Sequence, residues 1–362
     1  MRITLSYATT SDHYLDDSTS RRLVLSTPED WAEVHRLRAL HDAILVGAET
    51  VRRDDPSLRL RDPETRARRL AAGLRPELVR VTLTASGDLS PEARLFTTGT
   101  GERYVFSTRA LPALAERAEV ILCEEPITAA QVVTELEKRG IRSLFVEGGP
   151  RTLRLFLDEG LADRVRVAVN PARTLGTELG GARFRFEPPT GALRRDERFG
   201  TMEVTTWELH PDRSAEELQL LREAVEASRR CPPSPTSYRV GAVVVAADGS
   251  RYTGYTHETS PTHHAEQEAI RKATAAGAEL RGGTICSSME PCSRRASEPE
   301  SCTELILRHG FGRVVFACYE PDCFVRCEGA LRLRRAGVEV RVYPELAEEV
   351  LAVNGHLFAQ KG

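Results

Sequence analysis

Lysine is nearly missing from this chain. Lysine and arginine together number 50, yet only Lys138, Lys272 and Lys361 are lysines. That bias follows genome composition and locates no site. An excess of positive charge is also missing. The 53 acidic residues leave a net charge of −3, with a pI near 6.4. This balance offers no basic footprint for a phosphate backbone, so no nucleic-acid partner is expected. No run reaches the roughly 18 apolar residues that a membrane helix needs, so no membrane partner is expected either. The amino terminus, Met1-Arg2-Ile3-Thr4-Leu5-Ser6, reads as a strand and lacks the apolar core of a signal peptide. No Gly-x-Gly-x-x-Gly follows that strand, which removes the Rossmann dinucleotide fingerprint. Internal repeats and low-complexity tracts are absent. The eight cysteines are unevenly spread, with Cys123 alone in the first half and seven between Cys231 and Cys327. A secreted disulfide-stapled domain would be smaller and more evenly cross-linked, so metal ligation in a reducing cytoplasm is the expectation.

What is present suggests two or three domains in 362 residues. Up to about residue 210, short β-rich segments alternate with helical patterns. The strands are read at Arg2–Ala8, Ala43–Val46, Leu78–Thr84, Arg103–Ser107, Val120–Cys123, Ser143–Val146 and Val165–Val169. Helical spacing falls at Pro28–His41, Thr128–Arg139 and Pro150–Glu159, with Pro28 and Pro150 suited to a first turn. This predicts a wound α/β domain. Gly191–Thr201 is polar, and Met202–Leu209 reads as a last strand. His210-Pro211-Asp212-Arg213 is the expected linker, followed by Ser214-x-x-Glu217 as a capping box opening a helix. Arg239–Ala246 reads as a strand turned into a hairpin by Asp248-Gly249. Beyond it come a helix at His264–Gly277, a strand at Thr284–Ser287 and a helix at Thr303–His309. The expected domains are residues 1–210 and 214–362.

The most informative string is His264-Ala265-Glu266, followed by Met289-Glu290-Pro291-Cys292 and Cys302. One imidazole and two thiolates would hold Zn²⁺ at three corners and leave the fourth for water, whose pKa the metal lowers. Glu266 would take the water proton and return it to the ring nitrogen and the leaving ammonia. This is the His-x-Glu … Pro-Cys … Cys order of the zinc deaminases. Two residues usually separate the cysteines; here nine do, Ser293 to Ser301. Cys302 lies near the N-terminus of the helix read at Thr303–His309, where the dipole favours thiolate. Cys323 and Cys327 have no histidine nearby, so a second zinc is not expected.

Residues 216–362 resemble the deaminase domain of the bifunctional riboflavin-biosynthesis deaminase/reductase. The resemblance runs through Gly254-Tyr255-Thr256-His257, the His-Ala-Glu string, Met289-Glu290-Pro291-Cys292 and Glu320-Pro321-Asp322. It continues through Leu333–Val340 to Val353-Asn354-Gly355-His356-Leu357-Phe358. Residues 1–208 resemble the same enzyme's reductase domain, through Val34–Arg38, His41–Gly47, Thr50–Leu58, Val146–Pro150 and Leu175-Gly176. The order is the reverse of the familiar bacterial fusion. The resemblance implies a dihydrofolate-reductase-like α/β domain followed by a cytidine-deaminase-like α/β/α domain.

It also implies roles. Thr50 and Asp54 would contact NADPH, and Arg38, Leu58, Arg61 and Glu147 would line a phosphorylated sugar. Glu147-Gly148-Gly149-Pro150-Arg151-Thr152, between a strand and a helix, would cradle the cofactor's pyrophosphate on free helix N–H groups. Ser107-Thr108-Arg109 would hold its 2′-phosphate. Some positions depart from the family. His13 stands for a glycine, Arg22 for a serine that contacts substrate, and Thr84 for a strand-closing aspartate. Arg294 and Arg295 replace two histidines, and suit either substrate phosphate or solvent. Ser237-Tyr238-Arg239 replaces a Pro-Asn-Pro whose Asn reads the pyrimidine edge. The expected function is zinc-dependent deamination of a diaminopyrimidine ribosylamine phosphate with NADPH-dependent reduction of its ribosyl group. Rivals are a related amino-pyrimidine or nucleoside, a nucleic-acid-editing deaminase that the charge argues against, and a reductase-like domain serving only as a scaffold. A cytoplasmic homodimer or higher homo-oligomer is expected.

Overall fold

A computed structural model describes residues 1–19, 23–71, 74–210, 213–295, 298–321 and 327–358. Arg22, Pro211, Asp212, Asp322, Cys323 and Lys361 lie outside the described residues. The chain divides into two compact units, Met1–Pro211 and Asp212–Gly362.

The first unit holds nine strands: β1 (Arg2–Thr10), β2 (Ala43–Gly47), β3 (Val79–Thr84), β4 (Arg103–Ser107), β5 (Glu119–Leu122), β6 (Ser143–Glu147), β7 (Arg164–Asn170), β8 (Leu193–Phe199) and β9 (Met202–Glu208). They form one sheet in the order β5-β4-β3-β2-β6-β1-β7-β9-β8. From β5 through β7 every neighbouring pair is parallel. β9 pairs antiparallel with both β7 and β8. Parallel strands buried on both faces read as nearly unbroken apolar runs, as β2 does. Ala43 and Leu45 face a core with Val133, Leu136, Leu153 and Phe156 of the helices Ala129–Lys138 and Pro150–Asp158. Ile44 and Val46 face the other way, onto Val34, Leu37 and Val51 of the helices Pro28–Arg38 and Ala48–Asp54.

The second unit is a three-layer α/β/α sandwich. Its strands are β10 (Gly241–Val245), β11 (Arg251–Tyr255), β12 (Thr284–Met289), β13 (Arg313–Cys318) and β14 (Glu339–Val342). Their order is β11-β10-β12-β13-β14. β10 is antiparallel to both neighbours, while β12, β13 and β14 are parallel. One face packs Ala265, Ala269, Ile270, Ile306 and Leu333, from the helices Ala265–Ala275, Cys302–His309 and Gly329–Arg335. The other packs Leu220, Leu221 and Ala224 of the helix Ser214–Ser228.

Two sequence expectations need correction. The polar stretch Gly191–Thr201 contains β8, an edge strand whose side chains are mostly exposed. It is held by its antiparallel backbone ladder to β9, with exposed pairs alongside, such as Thr205 donating to Asp196 at 2.7 Å and Arg198 to Glu203 at 2.9 Å, so no hydrophobic alternation marks it. The capping box at Ser214 does not form. Ser214 is already helical, and its N-cap is Arg213, whose side chain makes no capping bond among the described residues. Glu217 is buried and accepts instead from Arg313 Nε and Tyr343 Oη, both at 2.5 Å. Capping boxes form elsewhere, with Thr128 and Gln131 and with Ser301 and Glu304.

Candidate active site

In the second unit the C-terminal ends of β12 and β13 and the N-terminal end of the helix Ala265–Ala275 meet. His264 is that helix's N-cap. The strand β12 leads directly to Glu290, Pro291 and Cys292. Cys302 is the first residue of the helix Cys302–His309, which Ser301 and Glu304 cap. The loop between is anchored locally, because Thr303 Oγ1 donates to the carbonyls of Pro291 and Cys292 at 3.2 and 3.0 Å. Gly329 packs against it so closely that a Cβ there would lie 1.9 Å from the Pro291 oxygen. The buried Glu290 accepts from Ala330 N–H at 2.9 Å.

These anchors bring His264, Cys292 and Cys302 together, with one ligand atom from each and all within 4.8 Å of one another. His264 Nδ1 lies 3.5 Å from both sulfurs. A tetrahedral zinc with ordinary Zn–S and Zn–N lengths separates its N and S ligands by about 3.6 Å. One imidazole and two sulfurs at that spacing fit the ion. The electrostatics agree. The Cys302 thiol beside it, and then His264, pull Cys292 down to about 4 against the effect of burial. Cys302, paired with Cys292 and fully buried, is pushed up. Burial lowers the His264 ring, but its bond and charge partner Cys292 carry it upward overall. A dication is what would let both sulfurs ionise together.

Glu266 is 3% exposed and accepts from Ser287 Oγ at 2.9 Å. Burial raises its carboxyl, and the nearby Cys292 sulfur adds to this. Its carboxyl therefore holds a proton more firmly than an exposed glutamate would. The sequence reading missed Ser287. The available signal was the pair Ser287-Ser288, two polar residues in a strand buried from Ile285 to Met289. Arg295 does not reach into open solvent, because Nε donates to the Glu300 carbonyl at 2.7 Å and Nη1 to Gln267 at 3.0 Å. Arg294 is exposed. Tyr238 Oη is engaged by the Pro321 carbonyl at 2.9 Å.

In the first unit the expected cradle is at the C-terminal ends of adjoining strands β2 and β6, where open α/β sheets bind ligands. Gly148 has φ +136°, and a Cβ there would sit 3.5 Å from Thr50 Oγ1, Thr152 Oγ1 and the Gly47 nitrogen. A Cβ on Gly47 would lie 2.5 Å from Thr152 Oγ1. Gly149 is the N-cap and Pro150 opens the helix, with Arg151 exposed and Thr152 buried in its first turn. Gly148, Thr50 and Thr152 are therefore gathered, and Gly47 joins them although the sequence reading passed over it. Asp54 closes the helix Ala48–Asp54 that carries Thr50. Arg38 meets Glu147 fork to fork, at 2.7 and 2.6 Å, with its guanidinium over Trp31. The His35 ring, lowered first by burial, feels Arg38, Glu147 and Arg61 together, so these groups share one neighbourhood. Leu58 is buried at φ +50°, a strained setting for a branched side chain. Ser107 stands apart, three strands along the sheet from β6 at the end of β4, and accepts from Arg109 N–H at 3.2 Å.

The departures take definite shapes. His13 adopts φ +69°, the left-handed conformation that a glycine would take without strain. Thr84 Oγ1 accepts from Gly87 N–H at 3.0 Å, so it closes the turn after β3.

Residues 1–189 match the model of the RibD C-terminal domain, and residues 214–318 that of the cytidine and deoxycytidylate deaminase zinc-binding region. Among curated proteins, the chain is similar to a diaminohydroxyphosphoribosylamino-pyrimidine deaminase of Schizosaccharomyces pombe. That match is 37% identical over 142 residues and covers 38% of this chain and 35% of the relative. It is also similar to a 2,5-diamino-6-ribosylamino-4(3H)-pyrimidinone 5′-phosphate reductase of Archaeoglobus fulgidus, 30% identical over 174 residues, covering 46% of this chain and 78% of the relative. A solved deaminase/reductase of Thermotoga maritima matches with 25% identity and a TM-score of 0.48, over 57% of this chain and 56% of that one. The chain spans about a third of the S. pombe deaminase and most of the A. fulgidus reductase. With a match over more than half its length, the chain belongs to the RibD C-terminal domain family, and its second unit carries the deaminase zinc-binding region after it.

Proposed function

We propose that this protein is a bifunctional enzyme of riboflavin-type biosynthesis. Its second unit removes an exocyclic amine from a diaminopyrimidine ribosylamine phosphate by hydrolysis. Its first unit reduces the ribosyl group to ribityl with NADPH. The single observation that carries the reading is the convergence of His264, Cys292 and Cys302 beside the buried carboxyl of Glu266. The names of the relatives support the substrate class.

His264 Nδ1, Cys292 Sγ and Cys302 Sγ would hold the zinc, which supplies activation of water near neutral pH. Glu266 takes a proton from the attacking water and delivers it to the ring nitrogen and then to the departing ammonia. Ser287 fixes the carboxylate's direction through its hydroxyl. In the first unit Thr50, Asp54, Gly148, Gly149, Pro150, Arg151 and Thr152 would bind NADPH, which supplies hydride. Ser107 with Thr108 and Arg109 is the proposed 2′-phosphate contact. Arg38, Leu58, Arg61 and Glu147 would orient the phosphorylated sugar; Glu147 already holds the fork of Arg38, so the phosphate oxygens fall to Arg61. Residues 1–210 and 214–362 are proposed as separately folding domains. A homo-oligomer and a cytoplasmic setting belong to the same reading. Among the described residues no helix is long and apolar enough to cross a membrane.

A second reading has its own observation. Of Ser237, Tyr238 and Arg294, the side chains that could replace the missing edge contacts, Tyr238 is bonded to the Pro321 carbonyl and Arg294 is exposed, which leaves the single hydroxyl of Ser237, buried and without a partner among the described residues, in place of an amide and two imidazoles. This favours a related amino-pyrimidine as the deaminase substrate. Incubation with the riboflavin-pathway diaminopyrimidine phosphate, with cytidine and with its monophosphate, each with and without NADPH, followed by mass analysis, separates the two. Loss of the amine followed by an NADPH-dependent gain of two hydrogens is expected for the first. Turnover of cytidine alone would overturn the pathway assignment.

A further inference from the structure

Asn354 is fully buried, yet it lies far along the chain from the residues of the metal pocket. Among the described residues its side chain makes three hydrogen bonds, all to backbone. Oδ1 accepts from Arg239 N–H at 2.7 Å, and Nδ2 donates to the carbonyls of Arg239 at 3.2 Å and Val350 at 3.0 Å. The amide thus grips both polar groups of one residue, as a neighbouring strand would. Arg239 is further fixed through its side chain, which donates to the carbonyls of Cys231 and Arg229, both at 2.6 Å, and of Val353 at 3.2 Å. His356 Nε2 lies 3.0 Å from the Ser234 carbonyl. The segment from Val350 to His356 therefore clasps the loop from Cys231 to Arg239 at several points.

That loop leads into β10 at the end of the sheet where the metal triad sits. Gly241 N–H donates to Ser288 Oγ at 3.1 Å, and Ala242 pairs with Ser287, the donor to Glu266. Tyr238 Oη bonds the Pro321 carbonyl in the loop after β13. The loop is thus tied to both strands that deliver the site. It has few regular backbone bonds of its own, so its conformation depends on the clasp. Ser237 Oγ in the same loop is buried without a hydrogen-bond partner among the described residues.

We infer that Asn354 is a positioning residue for the deaminase site, holding the loop from Cys231 to Arg239 as a preformed wall of the substrate pocket. The inference rests on the deaminase reading above. Without the clasp the loop samples other conformations. Only molecules with the wall in place then bind substrate well, and apparent affinity falls in proportion to that fraction. Once substrate is bound the wall is in place, so turnover is largely kept. A merely structural residue would lower stability without separating KM from kcat.

The test uses the full-length zinc-loaded protein as wild type, Asn354→Ala and Tyr238→Phe. Zinc content, amide hydrogen exchange and KM and kcat for ammonia release are measured with the diaminopyrimidine phosphate and with cytidine. For Asn354→Ala the expected result is unchanged zinc, amide exchange at residues 231–241 faster on the order of tenfold, KM raised about tenfold and kcat within about threefold. Tyr238→Phe, which frees the loop's other end, should move KM the same way by less, and it keeps the inference testable if Asn354→Ala does not fold. Unchanged exchange and KM in the variants overturns the inference, as does zinc loss or a fall in kcat at constant KM. If the wild type turns over neither substrate, the functional reading fails. The exchange measurement then decides the positioning role alone, with unchanged exchange at 231–241 overturning it.

Discussion

Glu266 and Ser287 form a pair in which one side chain was legible in the sequence and the other was not. Glu266 follows His264, the proposed zinc ligand, by two residues, so the motif names it. Ser287 is 21 residues further on and reaches Glu266 only because β12 brings it there. Glu266→Gln keeps the size and the bond to Ser287 but cannot carry a proton. The variant should retain zinc and lose deamination by roughly 10³-fold, within the range of general acid–base contributions. Near wild-type ammonia release would refute the role. His41 makes a different prediction at the same scale. It is 5% exposed, with Nδ1 facing the Leu37 carbonyl at 2.8 Å and Nε2 facing Thr4 Oγ1 at 3.0 Å. A carbonyl only accepts, so Nδ1 carries the proton and Nε2 accepts from Thr4. Burial holds this ring at about 4, below its ordinary 6.5. The folded state therefore prefers the neutral ring. Its stabilisation is fully present above about pH 6.5 and is lost as pH falls through about 4, a difference of about 3 kcal/mol. Denaturant unfolding of wild type and His41→Gln between pH 7 and 4 should show a shallower pH dependence in the variant. Parallel curves would exclude this histidine as the source.

At the scale of elements, the strands packed on both faces were legible because their apolar runs are short and bounded by turns. β8 was not, since Arg194, Arg195, Asp196, Glu197 and Arg198 carry no hydrophobic period. The failed capping box at Ser214 has a similar lesson. The local pattern Ser-x-x-Glu was present, but Glu217 found Arg313 and Tyr343, partners distant in sequence that a local rule cannot see. Gly329 shows how tightly one element fixes another. Its Cα faces the Pro291 carbonyl with no room for a methyl group, and backbone rather than a flexible side chain is in the way. Gly329→Ala must push the helix Gly329–Arg335 or the loop bearing Cys292 outward. Weaker zinc retention in competition with a chelator is expected, with stability lowered by about 1–3 kcal/mol, the usual cost of overpacking. Wild-type zinc retention would show that the loop moves without disturbing Cys292.

For the whole molecule, composition and pattern predict two α/β bodies with a linker at residues 210–213, and the chain divides into the units Met1–Pro211 and Asp212–Gly362. The strand order was not readable. β6 lies between β2 and β1, and that insertion is what sets Gly148 against Gly47 and Thr50. No sequence period encodes which strands become neighbours. Each unit has its own buried clusters, so residues 1–210 and 214–362 should each give a cooperative unfolding transition when expressed alone. The first should bind NADPH and the second should retain zinc. A soluble first fragment without NADPH affinity would count against the reductase reading.

The close approach of the two ligand sulfurs has a consequence for handling and for survival under oxidative stress. With both thiols within 4.8 Å of a common partner atom set and one of them held as thiolate, a bound metal is also a chemical guard. Stripped of it, the thiolate can be oxidised by peroxide to a sulfenic acid; the neighbouring thiol then attacks that sulfur, the S–O bond breaks, and the hydroxyl leaves as water while a disulfide closes. Inactivation by chelation should therefore be reversible in two regimes of different character. Zinc added back promptly under argon should restore deamination in full. After exposure of the stripped protein to peroxide, zinc alone should restore little, and a dithiol reductant followed by zinc should restore most of it. Full recovery with zinc alone after peroxide would mean that the pair does not cross-link, and that the metal guards nothing.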